Sequence, residues 1–266
     1  MGRAAGPYAD RLAALAGAPD RDVALAETAL AIAAPDHPEV RVDTYLARCR
    51  ALASGLGGRQ AAERGRTLAA TLADHVTDAE DADADDLIWV LDHRRGGPMA
   101  LGILALEAAR AAGWTAEGLA FPGHFLIRVE DEDGGRAIVD PGARRLADPP
   151  ALRALLKAIA GIDAELRPEL WTALGNRDIL IRLQNDAKMR ALRAGRVDKA
   201  LAAVEAVLLF APGHAELWRE AGLMHVRLGN VAAAVSALEQ FVSRTPEGLA
   251  RRRVLQMLQD LRARLT

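Results

Sequence analysis

The feature that most constrains this chain is a recurrence every 34 residues in its C-terminal third. Gly195 and Gly229, Ala200 and Ala234, and Pro212 and Pro246 are each separated by that interval. A period of this size implies a helical unit that cannot bury its apolar face alone and must stack on neighbours. The second unit is the fuller one, with Trp218, Gly222, Gly229, Ala234 and Pro246. The first, beginning near Ile181, keeps only Gly195, Ala200 and Pro212. One period earlier Gly161 fits, but Leu166 stands where a small residue belongs and Pro168 would sit inside a helix. The expectation is two repeats, a degenerate helical lead-in after Pro149-Pro150, and a closing helix over residues 249–265.

The rest of the chain reads differently. Three helices are expected in the first 75 residues, at 21–33 with Asp20 as its cap, at 42–53, and at 60–74. The acidic stretch 78–86 is read as a solvated loop, too charged to bury. LIWVLDHRR (87–95) is a short amphipathic helix stopped by Gly96-Gly97-Pro98. The next segment, MALGILALEAARAAG (99–113), is interrupted only by Glu107 and Arg110, so it is buried on nearly every side. It starts at a proline, a favoured first helical position. Strand-like runs follow at 115–121, 124–130 and 136–140, the last two joined by an acidic, glycine-containing tip. The fold class expected is α+β for residues 1–165, helices on a small antiparallel sheet, followed by an all-α domain at 166–266.

Composition excludes several functions. Net charge is −2, and no basic tract exceeds Arg251-Arg252-Arg253, so a nucleic-acid partner is not expected. No run approaches the roughly 20 apolar residues of a membrane span, and the N-terminus lacks the apolar core of a signal peptide. A single cysteine, Cys49, excludes an internal disulfide and a cysteine-rich metal site. His37, His75, His214 and His225 show no ligand spacing. The chain is expected to be cytoplasmic, without cofactor or metal.

FPGHFLIR (121–128) and Val139-Asp140-Pro141 carry the chemistry. A hairpin turning at Asp131 to Gly134 brings His124 and Asp140 nearly opposite each other on adjacent strands. Side chains so placed share a face about 5 Å apart. A carboxylate there accepts the imidazole proton and fixes its tautomer, as the base of a nucleophile requires; the plainer reading is a pair that holds the sheet together. The nucleophile belongs at the N-terminus of the buried helix, where the helix dipole lowers a thiol's pKa. Pro98, Met99 and Ala100 occupy that place, and no Cys, Ser or Thr lies between Leu87 and Trp114. His93, Arg94 and Arg95, together with Trp114 and Phe125, are candidates to line the same cleft; an exposed helix end accounts equally for the three basic residues. Cys49, in the spacing Leu46, Cys49, Ala53, reads as a small buried hydrophobe.

The order of a buried helix, PGHFLIR and VDP resembles the transglutaminase-like superfamily, whose members use Cys, His and Asp in that order. More narrowly, LDHRRGGPMAL (91–101), AARAAGW (108–114) and FPGHFLIRVED (121–131) resemble the SirB-type transglutaminase-like proteins, which commonly join such a domain to tetratricopeptide-like helices. The 34-residue period is the tetratricopeptide period. The resemblance implies a papain-like, cysteine-protease-type α+β fold with His124 and Asp140 as inherited positions. It places the missing cysteine at or beside Pro98 to Ala100. SirB-type proteins usually lack that cysteine, often with a small hydroxyl residue nearby, and Ala100 departs even from that pattern.

Two functions follow. One is a non-catalytic protein whose repeats, in a groove beginning near Ile181 and ending at Pro246, bind a protein or peptide partner. The other is a hydrolase or acyl-transfer enzyme of altered mechanism in which His124, oriented by Asp140, activates water.

Overall fold

The computed structural model describes residues 7–75, 77–78, 81 and 83–263. In chain order the helices are α1 (Pro7–Ala14), α2 (Leu25–Ala33), α3 (Val42–Ala51), α4 (Ala61–His75), α5 (Leu87–His93), α6 (Pro98–Ala111), α7 (Pro149–Ala160), α8 (Asn176–Arg193), α9 (Val197–Phe210), α10 (Ala215–Arg227), α11 (Val231–Arg244) and α12 (Leu249–Ala263). The strands are β1 (Thr77–Asp78), β2 (Arg95–Gly96), β3 (Thr115–Leu119), β4 (Leu126–Glu130), β5 (Arg136–Asp140) and β6 (Arg145–Leu146). Tertiary contacts form two compact units, Asp20–Leu183 and, among described residues, 7–19 with 184–263. The division falls inside α8, where the sequence suggested 165/166, and α1 joins the repeats.

In the first unit α6 is the spine. Ten of its fourteen residues are buried, each large aliphatic one contributing about 1.5–3 kcal/mol. Helices α2, α3 and α4 pack around it, with α5 against α2 and α3, and α4 and α6 also cover one face of an antiparallel sheet ordered β3-β4-β5-β6. Ile127, Val129 and Val139, all fully buried, form that face. The other face carries Leu119, Leu126 and Ile138 and packs against Leu152 and Leu156 of α7. So the α+β expectation holds, with a fourth short strand and a two-residue parallel pair, β1 with β2, that the sequence did not signal.

Several local readings change. Asp20 does not cap α2, whose N-cap position is Ala24. Its carboxylate accepts the backbone amides of Asn176 and Arg177, both at 2.8 Å, and so caps α8 from 156 residues away. Asp131 likewise accepts the amide of Ala61 at 2.9 Å and holds the start of α4. The acidic stretch is not wholly solvated: Ala84 and Asp85 are buried, and Asp86 accepts the amides of Ile88 and Trp89, both at 2.9 Å, to start α5. Residues 79, 80 and 82 of it lie outside the described residues. After α7 the chain is not continuously helical: a 3-10 turn, Pro168–Trp171, and a single bridge from Leu119 to Ala173 intervene. We expect Asp20→Ala to lower stability by about 1–2 kcal/mol in urea denaturation, and Asp131→Ala to lower it as well. An unchanged midpoint for Asp20→Ala would show that α8 does not depend on this cap.

In the second unit α9 packs against α10, α10 against α11, and α12 against α11. Gly195 and Gly229 end α8 and α10 in left-handed backbone, φ 73° and 76°, which explains why glycine recurs there. Gly222, which has no counterpart one period earlier, is required for another reason: a β-carbon on it would lie 2.6 Å from the fully buried Leu238. Helix α12 is described to Ala263, so the last residues of the expected 249–265 helix lie outside the described residues.

Candidate functional site

His124 lies in the bend before β4, not on the strand itself. The ladder pairs Ile127 with Val139 and Arg128 with Ile138, which places Leu126 opposite Asp140. The pairing is thus offset by two residues from the one the sequence suggested. Because strand side chains alternate with period two, an even offset keeps both residues on the same face. The imidazole Nε2 stands 3.3 Å from the Asp140 carboxylate.

Asp140 is buried, its side chain 4% exposed, while that of His124 is 34% exposed. Burial alone pushes the Asp140 carboxyl up, but hydrogen bonds from His124 and from the amides of Ala143 and Gly142 outweigh it and hold the carboxyl below its ordinary value. The Ala143 bond is 2.9 Å. For His124 the hydrogen bond to Asp140 is the largest influence; it overcomes partial burial and raises the imidazole pKa. Asp140 and the backbone of Gly123 both hold the ring. The roles of Gly142 and Ala143 were missed from sequence, although Asp-Pro-Gly is a turn signal.

The start of α6 lies against the turn that follows Asp140. A β-carbon on Gly142 would lie 3.3 Å from the Pro98 ring and 3.5 Å from Asp140 Oδ1. Pro98 is exposed, Met99 and Ala100 are buried, and none has a nucleophilic atom. The other candidates have different surroundings. Phe125 is a core residue whose ring fills the space between Gly102 and Gly118. Trp114 follows the opposite end of α6 and lies under the guanidinium of Arg64, 5.5 Å from the ring centre. His93 stacks on Trp89 at 4.3 Å and bonds its carbonyl. Arg94 reaches the carbonyl of Asp74 and Arg95 the carboxylate of Asp81.

Cys49 is fully buried in α3. Burial, reinforced by the Glu107 charge, pushes its thiol up to about 12, so it is protonated near neutrality. We expect it to resist alkylation in the native protein at pH 7 to 8 and to react once urea is added. Fast native alkylation that slows in His124→Ala would instead make it a candidate nucleophile.

Two further histidines have acidic partners that sequence spacing could not reveal: His37 with Asp86 at 2.8 Å and His225 with Glu205 at 3.2 Å. Among the described residues no three His, Cys, Asp or Glu side chains converge as metal ligands. No helix among them is long and apolar enough to cross a membrane.

Comparison with known proteins agrees with this geometry. Residues 41–185 match the model of the transglutaminase-like superfamily, and residues 187–259 match that of the tetratricopeptide repeat. A UPF0162 protein of Xylella fastidiosa is 29% identical over 162 residues, 59% of this chain and 57% of that protein. Protein SirB1 of Salmonella typhimurium is 27% identical over 165 residues, 61% of each chain. UPF0162 protein PA3419 of Pseudomonas aeruginosa is 33% identical over 135 residues, 50% of this chain and 49% of its own. The chain thus aligns with about half to three-fifths of each of these relatives. With a family match covering more than half its length, and relatives that include SirB1 and UPF0162 proteins, the chain belongs to the transglutaminase-like superfamily as a SirB-type protein joined to tetratricopeptide repeats.

Proposed function

We propose that this protein is a non-catalytic, transglutaminase-like scaffold or regulator that engages a protein or peptide through its repeats. One observation carries the reading: the helix start beside Asp140 presents Pro98, Met99 and Ala100, so the His124–Asp140 pair has no side chain to activate. The lone thiol is buried and protonated. The pair then serves to tie the bend before β4 to the end of β5. The repeats suit binding because units of this kind generally mediate protein–protein contact. Met189 and Leu223, in equivalent positions of successive repeats, are both exposed apolar side chains available to a partner.

The competing reading makes His124 a general base on water, with Asp140 as its orienter. Turnover of activated esters and peptide amides by the wild-type chain and by His124→Ala separates the two. The scaffold reading expects equal background rates in both. General base catalysis contributes about 10²–10⁴-fold, so a loss of that size in His124→Ala would establish the enzyme.

A further inference from the structure

A cavity of about 420 Å³ opens on the sheet face that carries Leu119 and Ile138, separate from the start of α6. Its origin is structural. Strand β6 pairs with Val139 and Asp140 and the next residue, Ala147, donates to the carbonyl of Ile138 at 2.9 Å, so only Arg136 and Ala137 of β5 lie beyond this pairing. Helix α7 begins Pro149-Pro150, and the first side chain it sends onto the sheet is Leu152. The space left between them is lined largely by apolar atoms of Leu119, Ile138, Leu152 and Trp171. Leu119 and Leu152 among them are buried. The volume lies within the 300–1,000 Å³ range of small-molecule sites, which pair an apolar body with few polar groups.

The charged residues around it are mostly engaged. Arg128 bonds Glu117 and the carbonyl of Trp171, and its Nε lies 3.2 Å from Glu130. Asp148 accepts the amide of Ala151 at 2.8 Å and caps α7. Arg136 differs: its side chain is 63% exposed, and only its Nε is held, by Glu130 at 2.9 Å. Among the described residues the two terminal nitrogens of its guanidinium form no hydrogen bond, and that fork matches a carboxylate.

We propose that this cavity binds a free, medium-chain organic acid, with its apolar body against Ile138 and Trp171 and its carboxylate on Arg136. The cavity volume, about 420 Å³, suits a small free molecule, and the guanidinium fork selects an acid over an alcohol. The site requires neither the His124–Asp140 pair nor the repeats, so it stands or falls apart from the scaffold reading.

Decanoate is the probe, titrated into the full-length protein by calorimetry and by tryptophan fluorescence. Binding should perturb the fluorescence, and Trp171→Phe should remove most of that signal while calorimetry still records heat. Arg136→Gln, at an exposed position that should leave the fold intact, should weaken decanoate at least tenfold and leave decanol unchanged. Ile138→Trp, with folding checked by circular dichroism, should abolish binding by filling the space. His124→Ala should bind as wild type. The proposal is overturned if decanoate does not bind, if decanol binds as tightly, or if Arg136→Gln or folded Ile138→Trp binds decanoate normally. Capture of a peptide ending in leucine, without capture of decanoate, would overturn the free acid as ligand.

Discussion

Replacing Gly102 by valine is expected to destabilise the Asp20–Leu183 unit by about 3 kcal/mol or more, through overpacking and the loss of a small residue between α6 and β4. A β-carbon at 102 would fall 2.3 Å from the ring of Phe125. The ring has nowhere to go, because a β-carbon at Gly118 on its other side would already lie 2.8 Å from it. Alanine at 102 is the finer test. In an exposed helix it would gain about 1 kcal/mol over glycine; here the clash should reverse the sign. Phe125→Ala alone should cost about 3–5 kcal/mol, but should cost less in the Gly102→Ala background, since the shortened side chain relieves the clash. Hydrogen exchange of the β3 and β4 amides in denaturant would measure both. Additive effects of the two substitutions would show that the ring and the glycine are not coupled. Because His124 precedes Phe125 directly, a displaced ring should also loosen the His124–Asp140 pair.

Asp140→Asn should lower the pKa of His124 from its raised value in the wild type. The hydrogen bond to the Asp140 carboxylate is the largest influence that raises the imidazole pKa; without that charge, partial burial, which lowers it, is opposed by the Gly123 backbone bond. The pH dependence of stability follows from the two directions. The raised His124 pKa contributes stability that is fully present below the unfolded value, about 6.5, and is lost as pH rises through the folded value. The lowered Asp140 pKa contributes stability present above the unfolded value, about 3.9, and lost as pH falls through the folded one. The difference between wild type and Asp140→Asn should therefore be largest between about pH 4 and 6.5 and should narrow on both sides. Some difference should persist at higher pH, since a charged acceptor for the Ala143 and Gly142 amides exceeds a neutral one by about 1 kcal/mol. A proton NMR titration of the His124 ring reads the pKa directly. An unchanged value in Asp140→Asn would mean that the two groups do not meet in solution.

Features with a short-range physical cause were legible in the chain. The apolar run of α6 required burial whatever surrounded it. Gly195 and Gly229 marked helix ends because left-handed backbone favours glycine, and their 34-residue spacing implied stacked helix pairs. The meeting of His124 and Asp140 was legible from the hairpin between them. The actual register differs by two residues, and the side chains still meet because strand faces repeat with that period. The start of α6 was legible as a place without a nucleophile, since that depends only on which residues stand there.

What the tertiary structure alone decided lies far apart in sequence. Asp20 looked like the cap of the helix that follows it and instead caps α8; Asp131 looked like part of a turn and also caps α4. A carboxylate can stabilise any helix N-terminus it reaches, and the sequence around it does not say which one. The same holds for α1, whose amphipathic pattern does not name its partner, and for Phe125, whose slot is cut by two glycines on different elements. The cavity beneath Arg136 exists because β6 ends early and α7 turns in late, a mismatch of lengths that appears only once both elements lie on the sheet.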